Sequence, residues 1–138
     1  MRITIINQQK KILINKRATK KIVLKALKAL RADFEGELSV VYVNNRDIQE
    51  LNLRYRTERK PTDALCFDLS DKNKFVADIV ISTEKACENS VLFKTSPIWE
   101  VNLYLIHGLL HLLGFKDRTK KDRIRMHRKA IHVLNKIQ

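Results

Sequence analysis

Two histidines four residues apart, His107 and His111, lie in the segment H-G-L-L-H-L-L-G-F-K-D, residues 107–117. On a helix, this spacing places both imidazoles on one face, one turn apart, where both can reach a single ion. Gly114 follows in the position of a helix C-cap, and Asp117 comes three residues later on the returning chain. Two histidines and a carboxylate are a common catalytic zinc set, with the fourth position left to water. The spacing therefore predicts one zinc ion on His107, His111 and Asp117.

The same segment resembles the metzincin protease pattern H-E-x-x-H-x-x-G-x-x-H, with two departures. Gly108 stands where the protease has its general base Glu, and Asp117 stands where it has its third His. Without that Glu, we do not expect peptide hydrolysis by the usual route. The alternative to metal binding is simple packing of two histidines on an apolar helix. The glycine at the turn and the carboxylate beyond it favour the metal.

The elements that must position these side chains follow from hydrophobic periodicity and from turn residues. Ser96-Pro97 begins the helix that carries the histidines, and the apolar run over residues 98–106 predicts that this helix is buried and rigid. The predicted strands are Ile3–Ile6, Leu38–Val43, Ala64–Leu69 and Phe75–Ser82, and the other helices are Lys16–Arg31, Arg46–Arg56, Thr83–Leu92 and Lys120–Lys136. This order predicts an α+β fold, a single mixed β-sheet of about four strands packed with helices and a zincin-like ligand helix.

Within these helices, the apolar stripes predict which side chains face inward. We expect Ile48, Leu51 and Tyr55 to be buried on the second helix. On the last helix we expect Ile124, Ile131, Leu134 and His127 to be buried. With 138 residues and no interior linker, the chain is expected to form a single domain over residues 1–138.

Basic charge is concentrated at the two ends of the chain, which carries a formal net charge of +13. Residues 1–31 hold ten Lys/Arg and no acid, residues 116–138 hold nine against two acids, and residues 32–115 hold nine against thirteen. Such an arrangement favours a polyanionic partner, nucleic acid first and an anionic membrane second. Simple solvated helix faces are the alternative.

Composition also bears on where the protein works. No apolar run approaches the roughly 20 residues that span a bilayer, and the first residues do not form a signal peptide. Cys66 and Cys87 are isolated, without a C-x-x-C pair, which fits a reducing compartment. We therefore expect a cytoplasmic protein with no membrane partner.

Two further motifs accompany the histidine segment. Residues 51–67 are L-N-L-R-Y-R-T-E-R-K-P-T-D-A-L-C-F, and residues 77–82 are A-D-I-V-I-S. Together with residues 107–117, they resemble L-N-x-x-Y-R-x-x-x-x-P-T-D-V-L-S-F, G-D-I-V-I-S and H-G-x-L-H-L-x-G-Y-D-H. These are the motifs, in the same order, of the YbeY family of ribosomal-RNA maturation endoribonucleases. The resemblance covers most of residues 50–117 and is far more specific than metal spacing alone.

The resemblance assigns roles to individual residues. His107 and His111 match the family's first two metal-binding histidines, and Asp117 aligns with the third, which is His in most members. Either the Asp117 carboxylate binds the metal directly, or the metal is held by two histidines and additional water. Zinc accepts a carboxylate oxygen, and this harder ligand set also admits manganese or iron.

Arg56 matches the family's motif arginine, which is implicated in activity. A guanidinium is always protonated and offers a planar fork of donors to phosphate, so Arg56 is expected to clamp the scissile phosphate. From the residues alone, a salt bridge with Glu50 or Glu58 is an equal alternative.

The function that the resemblance implies is that of a single-strand-specific, metal-dependent endoribonuclease. It would act in maturation of the small-subunit ribosomal RNA 3′ end and in ribosome quality control. Its partners would be single-stranded RNA, ribosomal RNA and the small ribosomal subunit. The alternative is a non-catalytic ribosome-assembly RNA-binding factor with a structural metal, which a fourth protein ligand would favour.

Other polar side chains near these motifs have open roles. Glu100 lies on the same helical face as His107, either as a hydrogen-bond partner of the site or as an acid that complements the helix N-terminus. Asp78 is expected to point toward the ligand helix or to be a buried or edge-paired acid. No general base is evident.

Two further expectations concern histidines and aromatic residues. His127 and His132 are expected at the surface or in packing. Trp99 and the tyrosines form no interleaved array, so base stacking in the manner of an RNA-recognition sheet is not expected.

Overall fold

The computed structural model describes residues 1–33, 35–56 and 63–138 of the chain. The strands are β1 (Arg2–Asn7), β2 (Gly36–Val43), β3 (Ala64–Asp68) and β4 (Phe75–Ser82). The helices are α1 (Lys16–Ala29), α2 (Asn45–Arg56), α3 (Thr83–Phe93), α4 (Pro97–Leu112) and α5 (Lys120–Ile137). The strands and helices follow one another in the predicted order.

The strands form one mixed sheet in the order β1-β2-β4-β3. β1 and β4 both pair with β2 in parallel, while β3 pairs with β4 in antiparallel fashion and places Phe67 opposite Asp78. The two central strands contribute apolar side chains to the cores on both faces of the sheet, as expected of strands that are covered on both sides. The predicted α+β fold with a single mixed four-stranded sheet is therefore confirmed.

Helices cover both faces of this sheet, because alternate side chains of each strand point to opposite sides. Leu38 and Val40 of β2 face the larger core, which α1, α4 and α5 complete. Val43 of β2 and Val80 of β4 face the other side, where they pack with Ile48 of α2. α4 therefore lies against the sheet on the larger core, with Val101, Leu105, Ile106 and Leu110 fully covered. The predicted burial of the ligand helix is confirmed.

The side chain of Asp78 belongs to the face opposite α4. Its neighbours along β4, Ala77 and Ile79, pack in the larger core, so the alternation of the strand turns Asp78 toward the α2 side. Burial raises the pKa of this carboxyl above its ordinary value. The prediction that Asp78 points toward the ligand helix is wrong, and its partly buried place on the strand agrees with the alternative.

Side-chain caps fix where the helices begin. Ser82, Ser96 and Thr119 each accept a hydrogen bond from a backbone N–H in the first turn of α3, α4 and α5. Asp122 completes a capping box by accepting from the backbone N–H of Thr119 at 3.4 Å. Ser82, the last residue of β4, is also the N-cap of α3, so the strand passes directly into the helix.

The inward faces of two helices differ from the prediction. Tyr55 on α2 is 61% exposed, with its ring edge against Phe67. Ile124 on α5 is 44% exposed. The buried side chains of α5 are Met126, Ala130, Val133 and Leu134. Amphipathic stripes this broad allow more than one rotation of a helix, and tertiary packing decides which one is adopted.

The two basic ends of the chain meet in the fold, because α1 and α5 pack against each other. Both helices turn their basic side chains to solvent. The exposed ones include Lys16, Arg17, Lys20, Lys21, Lys25 and Lys28 on α1, and Lys120, Lys121, Arg123, Arg125, Arg128 and Lys136 on α5. Among the described helices, none combines the length and apolar character that a membrane span requires.

Candidate functional site

α4 carries both histidines on one face, as the spacing predicts. The ring centroids of His107 and His111 lie 5.0 Å apart, and both side chains line a cavity of about 720 Å³. β3, α3 and α5 contribute the other walls of this cavity. The two imidazoles are therefore accessible from one space.

The turn after α4 delivers Asp117 to the same cavity. The N–H of Gly114 donates to the carbonyl of His111 at 3.0 Å, and that of Phe115 donates to the carbonyl of Leu110 at 3.1 Å. Gly114 has φ +91, and this pair of bonds is a Schellman motif, in which a glycine ends the helix. The reversal brings Asp117 Oδ2 to 3.3 Å from His111 Nε2.

The donor chemistry of this group fits zinc. Nitrogen and oxygen ligands at 2.0–2.2 Å from a tetrahedral zinc lie about 3.3–3.5 Å from each other. The His111–Asp117 separation of 3.3 Å equals such a ligand–ligand edge. Within residues 1–33, 35–56 and 63–138, however, no three His, Cys, Asp or Glu side chains are already assembled around a metal position. The His111–Asp117 pair therefore has the spacing of two ligands, and His107 lines the same cavity.

The surroundings of His107 lower its pKa. Burial lowers its pKa, the neighbouring His111 lowers it further, and Asp63 and Asp117 act in the opposite direction. A lowered pKa favours the neutral imidazole near neutral pH, and the neutral ring is the one that ligates a metal ion.

Two cavity residues were not identified from the sequence as parts of the site. Asp63, in the P-T-D part of the second motif, lines the cavity beside the start of β3, and its Oδ1 accepts from the N–H of Ala64 at 2.7 Å. His127 on α5 is exposed and lines the same cavity, although it was predicted to be buried. Both are close enough to influence the pKa of His107. The second motif held a signal for Asp63, whereas the place of His127 depends on how α5 packs.

The predicted catalytic arginine lies at the edge of what the structure describes. Arg56 is the last residue of α2, and its side chain is outside the described part. Residues 57–62, with Arg59 and Lys60, are outside it as well. The role predicted for Arg56 therefore stays a prediction.

Away from the histidines, the cavity ends in a hydrogen-bond network around Glu100. Thr95 Oγ1 donates to Glu100 Oε2 at 2.7 Å, and the Tyr104 hydroxyl donates to Oε1 at 3.1 Å. Asn89 Nδ2 in turn donates to the Tyr104 hydroxyl at 2.7 Å. Burial raises the pKa of Tyr104, which keeps its phenol protonated as a donor. Glu100 therefore lies in the first turn of α4 and binds Thr95 and Tyr104.

Comparison with known proteins adds a family match over nearly the whole chain. The sequence model described as Endoribonuclease YbeY matches residues 4–138. A protein named Endoribonuclease YbeY from Syntrophomonas wolfei is 35% identical over 153 aligned residues, covering 100% of this chain and 98% of the relative. One of the same name from Caldicellulosiruptor saccharolyticus is 38% identical over 143, covering 91% and 90%.

A solved structure shares the fold. The solution structure of TM1509 from Thermotoga maritima superposes with a TM-score of 0.64 at 27% identity. The match covers 96% of this chain and 88% of the other. The mixed sheet and its helices are thus found in an experimental structure as well.

Proposed function

This chain belongs to the Endoribonuclease YbeY family, and on that basis we propose that it is a single-strand-specific, metal-dependent endoribonuclease. We propose that it acts in maturation of the small-subunit ribosomal RNA 3′ end and in ribosome quality control. The observation that carries the proposal is the meeting of His107, His111 and Asp117 at one open cavity.

We propose one zinc ion as the cofactor, held by His107, His111 and Asp117. Two imidazoles and a carboxylate suit zinc, and the His111–Asp117 distance of 3.3 Å supports this donor set. When bound, such a metal supplies Lewis-acid activation of water or of a phosphoryl oxygen. The residues themselves orient the ion through the rigid face of α4, which is buried along its other sides.

The charge within the cavity also supports a cation there. Asp63, Asp68, Glu100 and Asp117 all line it, so its wall is acidic although the chain as a whole is strongly basic. An RNA phosphate entering such a cavity would be repelled without a positive charge to bind it. The protein thus needs cationic groups at this site, either a metal or an arginine.

For the arginine we propose Arg56, which clamps the scissile phosphate and stabilises the charge that develops on it. Its support is the second motif and its place at the end of α2, shortly before Asp63 returns to the cavity. Asp63 and His127 are the residues that we assign to proton transfer, because both line the cavity and one is an acid and the other an imidazole.

We further propose ribosomal RNA and the small ribosomal subunit as partners, and a cytoplasmic location. The basic faces of α1 and α5 support an RNA partner. Cys66 and Cys87 are not joined in a disulfide, which supports a reducing compartment.

A cleavage assay on single-stranded RNA tests the function. Chelation should abolish cleavage by the wild type, and zinc should restore it. His111→Ala should remove activity, and Arg56→Ala should lower it about 100-fold, the typical loss when one transition-state donor is removed. The matched controls are His132→Ala and Arg46→Ala, an exposed histidine on α5 and an exposed arginine on α2.

Three outcomes would contradict the proposal. Cleavage that survives both chelation and His111→Ala would exclude a metal-dependent nuclease at this site. Tight RNA binding without cleavage by the zinc-loaded wild type would favour the non-catalytic assembly factor. If Arg56→Ala and Arg46→Ala lose equal amounts of cleavage activity, Arg56 has no special role in the reaction.

A further inference from the structure

The cavity extends well beyond the histidines, along α4 toward its N-terminus. One face of the helix carries four side chains at spacings of four, three and four residues, namely Glu100, Tyr104, His107 and His111. Seven residues of helix separate Glu100 from His107, a rise of about 10 Å. All four side chains line the same cavity. A ligand larger than a single phosphate group is therefore needed to occupy it.

The far end of the cavity has a polar floor. Glu100 is only 3% exposed, and its two carboxylate oxygens accept hydrogen bonds from Thr95 and Tyr104. A carboxylate oxygen has two lone pairs, so each oxygen can accept a further bond from a ligand. The network with Asn89 holds Glu100 in place. This floor therefore presents a positioned hydrogen-bond acceptor to the cavity.

The same end has aromatic walls. Phe93 ends α3 with 62% of its surface exposed, and Trp99 lies half-buried in the first turn of α4. Both line the cavity. The left-handed Lys94, with φ 56, and the Ser96 cap set the short connection between the two helices. The turn thus places two aromatic side chains along this end of the cavity.

We propose that this end of the cavity is a nucleobase subsite, in which one base of the RNA stacks on Phe93 and Trp99 and turns its polar edge to Glu100. The proposal rests on the proposed function and deepens it. Aromatic side chains bind bases of single-stranded RNA by stacking. One base held here would position the adjoining backbone toward His107 and His111, so the subsite fixes which phosphate is cleaved.

The Glu100 carboxylate also gives the subsite a preference between bases. Carboxylates accept hydrogen bonds from the amino group of cytosine, whereas uracil presents a carbonyl oxygen at that position. When uracil enters, its O4 acceptor faces the carboxylate in place of the amino group of cytosine, and only the adjacent N3–H remains as a donor. We therefore expect cytosine to bind more tightly than uracil, because their rings are alike and only the edge differs.

The chain carries its own probe for this subsite, because Trp99 is its single tryptophan. The full chain is titrated with short 2′-O-methylated oligocytidylate, oligouridylate and an abasic ribose-phosphate chain of equal length, in the presence of chelator. Oligocytidylate should quench Trp99 fluorescence and the abasic chain should not. Oligouridylate should bind about tenfold more weakly, as expected for one mismatched hydrogen-bond edge.

Variants separate stacking from other contacts. Phe93→Ala should weaken oligocytidylate binding about tenfold and leave binding of the abasic chain unchanged. The matched control is Leu92→Ala, because Leu92 is 71% exposed on the same helix and does not line the cavity. Glu100→Gln should reduce the difference between cytosine and uracil, because an amide offers both a donor and an acceptor. Circular dichroism checks that each variant is folded.

The outcomes distinguish the subsite from the function on which it rests. The subsite would be overturned if the abasic chain quenched Trp99 fluorescence as much as oligocytidylate does. It would also be overturned if Phe93→Ala weakened binding of oligocytidylate and of the abasic chain equally. Equal effects of Leu92→Ala and Phe93→Ala would overturn it as well, because they would indicate a general apolar contact surface. If the zinc-loaded wild type cleaves RNA while quenching is independent of the base, only the subsite fails. If quenching depends on the base and cleavage is absent, only the nuclease proposal fails.

Discussion

At the scale of single residues, Gly108 marks the point where α4 packs most closely on the strands beneath it. A Cβ at this position would lie 3.0 Å from Ile79 Cγ2 and 3.1 Å from Cys66 Sγ. The helix therefore rests on β3 and β4 at the point where a metzincin carries its Glu. A side chain at this position would require Ile79 or Cys66 to move by a few tenths of an ångström. The close packing therefore favours glycine where the protease pattern has its general base, and the groups proposed for proton transfer, Asp63 and His127, lie on other walls of the cavity.

Replacing Asp117 tests whether the proposed metal site has two or three protein ligands. Residues that only orient a metal ligand typically change metal affinity by about 10- to 100-fold when they are replaced. We expect Asp117→Ala to lower the zinc affinity by more than this. Asp117→His should keep or raise the affinity, because imidazole is a good zinc ligand. Competition with a chromophoric chelator measures both affinities.

Asp33→Ala is the control for Asp117→Ala, since Asp33 is an exposed acid that does not line the cavity. It should leave zinc affinity unchanged. If Asp117→Ala also binds zinc like the wild type, Asp117 is not a ligand. The alternative with two histidines and additional water would then hold.

At the scale of elements, the end of α4 couples stability to the site. Gly114 has φ +91, and a Cβ there would meet no atom within 4 Å, so the backbone conformation alone requires glycine. Gly114→Ala should lower the free energy of unfolding by about 1–2 kcal/mol, the cost of a left-handed conformation for a residue with a Cβ. Zinc affinity should fall with it, because the same turn delivers Asp117. Urea unfolding and zinc competition measure the two effects.

Gly114→Asn is the matched variant, because asparagine adopts the left-handed conformation more readily than alanine. It should retain more of both stability and zinc affinity. A stable Gly114→Ala with unchanged zinc affinity would show that the chain can reverse without the Schellman motif.

The strands and helices were largely predictable from the sequence, because the signals that define them lie within a few residues of each other. Strand alternation, Ser96-Pro97 and Gly114 are signals that act within a few residues, and β4 and the start of α4 lie where they were predicted. The predictions that were wrong concern side chains whose burial depends on contacts between elements. The exposure of Tyr55 and Ile124 and the entry of His127 into the cavity follow from how α2 and α5 rotate against their neighbours. A single helix does not carry that information.

At the scale of the whole molecule, charge is separated between the cavity and the outer surface. Acids from β3, α4 and the turn beyond α4 line the cavity, while α1 and α5 pack side by side and turn basic side chains to solvent. The sequence showed two basic ends but could not show that they are neighbours. RNA would thus be attracted by the basic helices, and a cation, either the metal or Arg56, would be needed to hold its phosphate in the acidic cavity.

This division predicts where the salt dependence of RNA binding originates. Arg125 and Arg128 line an open groove along α5. For single strands, each phosphate contact adds about 0.7 to the slope of log affinity against log salt, so Arg125→Gln with Arg128→Gln should reduce the slope by about 1.4. Arg46→Gln with Lys72→Gln removes the same charge from exposed positions outside α1 and α5 and should change the slope less. Titrations of single-stranded RNA at several salt concentrations, in chelator, measure both. If the control pair lowers the slope and the α5 pair does not, the RNA lies across the α2 side and the basic helices are only solvated faces.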